Sequence, residues 1–146
     1  YFPGVTSSHS YLKGERVFVK ANSLSSVKTI EPISYYDVPF CRPSEIIDAI
    51  ENLGEIISGD RIENSLYEFS ILESFECRTV CLTELRPRDV KTLRKLIKKE
   101  YRVNLLLDGL PASVPRVFRD EGGIHTVNRP GFPIGEMAQD KFVIYN

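Results

Sequence analysis

The chain lacks an apolar run long enough to cross a bilayer. A spanning helix needs about 18–20 consecutive apolar residues, and the longest candidates, around Val103–Leu107 and Ile46–Ile57, are short or broken by charge. No basic leader followed by an apolar stretch stands at the start, so no signal peptide is read there. Histidine is scarce: His9 lies in a Ser-rich stretch and reads as solvated, and His125 lies beside Gly122-Gly123 on a probable strand. A Ser/His/Asp hydrolase needs a histidine set by an acid next to an activated serine. No GxSxG elbow is present. GxxxxGK[ST] and GxGxxG are missing too, which removes the common phosphate-cradling loops. There is no N-x-[ST] sequon. A net charge of −1 gives no reason to expect nucleic acid as a partner.

Cysteine is sparse and odd in number, with Cys41, Cys77 and Cys81. One bridge would leave one thiol over. On a strand, Cys77 and Cys81 would share a face about 13 Å apart, too far for a disulfide. That leaves Cys41 to pair with either of them, or three reduced thiols. A structural zinc site needs four ligands, and Cys77-x-x-x-Cys81 has no partner pair at finger-like spacing. Soft sulfur could hold Cu(I), but two thiols on one strand are a weak signal. No metal or other cofactor is expected.

What is present suits one globular domain over residues 1–146: 42% hydrophobic and 27% charged residues argue against disorder. Charge is uneven along it. Residues 86–102 hold 8 of the 19 positive charges: Arg86, Arg88, Lys91, Arg94, Lys95, Lys98, Lys99 and Arg102. Such a basic amphipathic helix can bind a partner or an anionic membrane, or simply form a solvated face over a core-packed stripe. The carboxylates Glu51, Glu55, Asp60 and Glu63 cluster in sequence, but fit no calcium loop. The plainer reading has Asp60 capping a turn, with Asp60 or Glu55 pairing with Arg61 or Arg42.

Alternation predicts strands at 16–20, 33–38, 66–72, 75–82, 103–107 and 141–145. Asn22–Ser26 reads as a turn, and Val103–Leu107 reads as buried on both faces. Pro87 at a helix start, Asp89 in the first turn, and Val90, Leu93, Leu96, Ile97 and Tyr101 on one face predict a helix over 87–100. A shorter helix is expected over about 45–57. Asp108-Gly109 turns the chain, Pro111 and Pro115 keep the next segment extended, and Gly122-Gly123, Pro130-Gly131 and Pro133 punctuate a loop-rich region with short strands. The fold class is therefore mainly β (α+β), an antiparallel β-sandwich with one clear helix.

Several segments together resemble one family. Pro39-Phe40-Cys41, Glu51-Asn52-Leu53-Gly54-Glu55 and Gly59-Asp60-Arg61-Ile62 stand in the order found in the luminal N-terminal domain of nonaspanins, the transmembrane nine superfamily. Ser34-Tyr35-Tyr36-Asp37-Val38-Pro39-Phe40-Cys41, Tyr101–Pro111 and Gly131-Phe132-Pro133-Ile134-Gly135 also resemble family motifs, most like the plant branch. Asp37-Val38 and Gly109 depart from the usual pattern.

The resemblance implies a lumen-facing piece of a Golgi or endosomal multi-pass protein that sorts and delivers other membrane proteins. It implies membrane-protein cargo and the parent's own transmembrane region as partners, no enzymatic activity, and no membrane insertion by this segment. It favours Cys41–Cys81 as the disulfide. It makes Glu51, Asn52, Gly54, Glu55, Gly59, Asp60 and Arg61 a signature turn of architectural use. Lys91, Arg94, Lys95, Lys98 and Lys99 are the candidate interaction surface. Tyr1-Phe2-Pro3-Gly4-Val5 resembles a mature start after signal cleavage, and the end at Asn146 resembles a point short of the family's last luminal strands. The competing class is a luminal sandwich binding glycan or copper, with a hydrolase a distant third.

Overall fold

A computed structural model of the chain describes residues 9–48 and 61–145. In order these form β1 (Arg16–Ser25), a 3-10 turn (Tyr35–Asp37), β2 (Glu63–Ser70), α1 (Pro87–Lys98), β3 (Arg102–Leu107), β4 (Leu110–Pro111), β5 (Ser113–Asp120), β6 (Gly123–Pro130), β7 (Phe132–Pro133), β8 (Gly135–Ala138) and β9 (Lys141–Ile144). The main sheet runs β2-β1-β3-β4, with β7 also on β3. Two further hairpins, β5–β6 and β8–β9, complete the strands, and every pairing is antiparallel. The mainly β, α+β class with sandwich-like layering that the sequence indicates is the class observed.

β1 anchors the sheet because Val17, Val19 and Ala21 alternate inward. It runs further than the predicted 16–20. Asn22 does not turn the chain: the register against β3 shifts between Ala21 and Leu24, so the extra residues are absorbed as a bulge. Leu24 then exchanges both backbone hydrogen bonds with Ile33, at 2.7 and 3.0 Å.

The strand expected over 33–38 is limited to that bridge and gives way to the 3-10 turn. The reason is aromatic packing. Tyr35 stands edge-on to Tyr36 at 4.8 Å and lies 4.9 Å from Phe40. The Tyr36 hydroxyl donates to the Asn64 carbonyl at 2.7 Å. Both rings are buried, and burial pushes the Tyr35 phenol far above its ordinary pKa, so it stays neutral.

The core joins Ala21, Leu24, Tyr35, Tyr36 and Val38 to Leu93, Leu96 and Ile97 of α1, with Tyr101 and Ile134. Leu24 and Val38 are the largest fully buried side chains, each worth about 1.5–3 kcal/mol in transfer free energy. Helix α1 ends two residues before the predicted limit, and Glu100 takes a left-handed φ of 56°. At its start the Asp89 carboxylate accepts the Arg86 N–H at 3.0 Å, satisfying one orphan donor. Strand β3 departs from expectation: Leu106 is buried but Leu107 is 36% exposed, so this strand is not covered on both faces.

Two further expectations fail. Residues 75–82 form no strand. Its apolar alternation breaks at Val80-Cys81-Leu82, no neighbouring strand pairs with it among the described residues, and Leu82 is 92% exposed. Of the short helix expected over 45–57, the described residues 45–48 are not helical, and Asp48 bridges Glu63 instead. The remainder of that prediction lies outside the described residues. No described helix is long and apolar enough to cross a membrane.

Candidate interaction surface

The basic residues of α1 sort by helical geometry. At about 100° per residue, Arg94, Lys98, Lys91 and Lys95 occupy roughly one 100° arc on the side away from the buried stripe. All four are exposed, whereas Leu93, Leu96 and Ile97 face the core. Lys99 caps the helix end, and its carbonyl accepts the Ser26 hydroxyl. Among the described residues none of Lys91, Arg94, Lys95, Lys98 and Lys99 meets a carboxylate; the ion pair within α1 joins Arg88 to Asp89 at 4.0 Å.

Next to this arc runs a groove of about 460 Å³ between α1 and the β8–β9 hairpin. Its apolar wall is Val90, Ile97, Phe142 and Ile144, and its polar rim is Arg94, Asp140 and Lys141. The Phe142 ring orders the cations. Arg94 Cζ lies 5.0 Å and Lys98 Nζ 5.6 Å from its centroid, each contact worth about 0.5–1 kcal/mol at an exposed site. At Gly135 the hairpin is tightly packed, both across its own strands and against the helix. A Cβ there would lie 2.1 Å from the Val143 carbonyl oxygen and 2.9 Å from Ile97 Cδ1.

Chemically the groove combines an apolar wall with a mostly cationic rim. That suits an amphipathic segment bearing acidic groups. It holds no nucleophile placed against a base. The sequence marked the lysines and arginines but missed Phe142, which stands far from them along the chain. A lone aromatic in a short strand carries no signal of what it will face.

The other candidate residues fall elsewhere. Cys41 and Cys81 form a disulfide with Cα atoms 6.5 Å apart, and Cys77 is free and exposed. Glu51, Asn52, Gly54, Glu55, Gly59 and Asp60 lie outside the described residues. Arg61 is described, and its Nε reaches Glu63 Oε1 at 2.7 Å and Asp48 Oδ1 at 3.5 Å. Arg42 does not meet a described carboxylate; it donates to the Tyr36 carbonyl and lies over the Tyr36 ring at 5.8 Å. Glu63 is buried at 3% exposure, and its Oε2 has no hydrogen-bond partner. Burial pushes its pKa up, with Arg61 opposing.

His9 is not merely solvated, because its Nε2 lies 2.9 Å from Glu15 Oε1. Glu15 is held below its ordinary value, first by accepting the Leu12 N–H and then by His9. His125 Nε2 lies 2.8 Å from Asp120 Oδ1. Neither histidine bonds a serine among the described residues. No group of three or more His, Cys, Asp or Glu side chains is arranged to hold a metal ion among them either.

The family described as Endomembrane protein 70 matches residues 32–146. Transmembrane 9 superfamily member 8 of Arabidopsis thaliana is 41% identical over 100% of this chain and 23% of its own length. Putative phagocytic receptor 1a of Dictyostelium discoideum is 41% identical over 94% of this chain and 21% of its own. Transmembrane 9 superfamily member 4 of Homo sapiens is 33% identical over 77% of this chain and 18% of its own. The chain therefore spans about a quarter or less of the length of these curated relatives. No solved structure matches it.

Proposed function

Because this chain belongs to the endomembrane protein 70 family, whose relatives are transmembrane 9 superfamily proteins, we propose that it is a non-enzymatic recognition module of a multi-pass membrane protein. In this reading the module faces the lumen of the Golgi or endosomes. It contacts membrane-protein cargo and the parent's own transmembrane region, and so serves the sorting and surface delivery of other membrane proteins. The name of one relative, a putative phagocytic receptor, fits a role at membranes.

The observation that carries the reading is the row of α1 cations without carboxylate partners among the described residues, two of them held on Phe142 beside an apolar groove. A face that served only solubility would not need its charges ordered against an aromatic wall. Recognition by an acidic segment of a client gives those charges a use.

The test is proximity labelling by the full-length parent, with the labelling enzyme fused to this module. Replacing Lys91, Arg94, Lys95 and Lys98 by Gln is expected to remove a specific set of labelled membrane proteins while the parent keeps its abundance. An unchanged labelled set would refute the role of this face.

A further inference from the structure

The β5–β6 ribbon is the largest element that the core does not use. It leaves the rest of the fold at Ala112 and Gly131, where the Gly131 N–H donates to the Ala112 carbonyl at 3.1 Å. From there, among the described residues, its strands pair only with each other, from Ser113↔Pro130 to Asp120↔Gly123. Most of its residues are exposed, including Val117 at 65% and Ile124 at 65%. A two-stranded ribbon alone is marginally stable in water, and a third strand or a cover is what ordinarily secures one.

Antiparallel pairing alternates between residues bonded to the partner strand and residues bonded outward. Pro115 has no N–H, so its nitrogen belongs on the outer edge of β5. The bonded Ala112–Gly131 pair sets the same parity. It follows that Ile124, Thr126 and Asn128 turn their backbone N–H and C=O groups to the outer edge of β6. The β5 edge is blunted by Pro115, as exposed edges commonly are. The β6 edge carries no proline before Pro130.

One face of the ribbon is basic. Arg116 lies opposite Val127 and Arg129 opposite Val114, which makes the two arginines diagonal neighbours on one face. At the base of the ribbon the Arg102 guanidinium donates to the Pro130 carbonyl at 3.1 Å and the Gly131 carbonyl at 2.7 Å. None of these three guanidiniums meets a carboxylate among the described residues. They are close enough to one another that, after burial, Arg129 and Arg116 lower the pKa of Arg102. The nearest ribbon acid is already engaged: Asp120 accepts the Gly122 N–H and pairs with His125. Three unpaired guanidiniums repel one another unless an anion comes between them. The opposite face presents Val117 and Ile124 together with Arg119, which pairs with Ile124, while Val114, Phe118 and Val127 share the face of Arg116 and Arg129.

We propose that the outer edge of β6 docks an extended acidic peptide segment, which pairs as a third strand and sets its carboxylates against the arginine face. One feature chooses a peptide over another polyanion. The edge offers alternating donors and acceptors, which only a peptide backbone complements. In an antiparallel third strand the residue opposite Arg129 falls at a non-hydrogen-bonded position, with Cα atoms about 4.5 Å apart and side chains at their closest. Arginine forks then bind carboxylate in two-bond geometry. The site is separate from the α1 groove, and its test does not depend on the cargo reading.

The experiment titrates the 146-residue chain into a fluorescein-labelled peptide of alternating Glu and Val. Three further probes are used: the same peptide with Gln for Glu, the same peptide with alternate backbone nitrogens methylated, and inorganic polyphosphate. Binding of the Glu peptide, with affinity reduced about tenfold or more for the Gln peptide, the methylated peptide, and an Arg116→Gln/Arg129→Gln variant, supports the proposal. Neither guanidinium makes a hydrogen bond or ion pair among the described residues, so the double variant spares the ladder; its far-ultraviolet dichroism checks this. Failure of the native chain to bind the Glu peptide overturns the proposal. So does equal binding of the methylated or Gln peptide, or an unchanged affinity in the double variant. Binding of polyphosphate without the peptide would make this a simple anion site, which also overturns strand pairing.

Discussion

At the scale of single residues, Glu63 sets a pH dependence. It is the only buried charged side chain among the described residues. Burial raises its folded-state pKa above the unfolded value. Between those two values the folded protein holds more protons than the unfolded one, so stability falls as pH rises through the folded pKa. The favourable contribution is fully present only below the unfolded pKa. Comparing the native protein with Glu63→Gln by chemical denaturation from pH 7 to pH 4 should show the native protein gaining stability relative to the variant on acidification. A constant difference across that range would contradict this assignment. Gly135 makes a second residue-scale case. Gly135→Ala sets a methyl group against the Val143 carbonyl and Ile97, and should cost about 1–3 kcal/mol. Equal urea midpoints for the two proteins would show that the hairpin gives way without penalty. Neither role was visible in the sequence. A glutamate in an alternating strand and a glycine between Ile134 and Glu136 look ordinary until the packing is known.

At the scale of elements, the helix was legible and several strands were not, for identifiable reasons. Pro87, Asp89 and the spacing of Leu93, Leu96 and Ile97 act within one helix, so local sequence was enough. A strand depends on a partner that local sequence does not name. Residues 75–82 read as a strand, yet no strand pairs with them among the described residues. The β5–β6 ribbon carries Gly122-Gly123, which reads as loop punctuation although it marks the turn, whereas Pro115 reads as extended and lies within a strand. Without a ladder, the segment between β2 and α1 is held by the Cys41–Cys81 bridge and the Phe69–Phe75 stack at 5.8 Å. The bridge spans a sequence separation of 40, for which loop-closure entropy gives about 4 kcal/mol. Cys81→Ser should therefore lower stability by about 2–4 kcal/mol, and Cys77→Ser, at an exposed thiol, by less than about 0.5 kcal/mol. Thermal melts under non-reducing conditions check both. Matching losses for the two variants would mean that Cys77 exchanges into the bridge.

At the scale of the whole molecule, family and fold class were legible because motifs spread along the chain agree in order. The surface that could serve recognition was only half legible. The basic residues of α1 were plain in sequence, but their arrangement on Phe142 needed the β8–β9 hairpin to fold back over the helix. The resulting face joins ordered charge to an apolar groove, and it lies on a module that makes up about a quarter or less of its curated relatives. Replacing its exposed charges forfeits the two contacts to Phe142, about 0.5–1 kcal/mol each, and should leave the fold otherwise intact. That separation of folding from recognition makes a decisive comparison possible. Cells lacking the full-length parent would be complemented with the native protein or with the form carrying Gln at positions 91, 94, 95 and 98, and the membrane proteins at their surface would be quantified. The recognition account predicts that the native form restores a defined set of surface proteins and the variant, at equal abundance, does not; full restoration by the variant would contradict it.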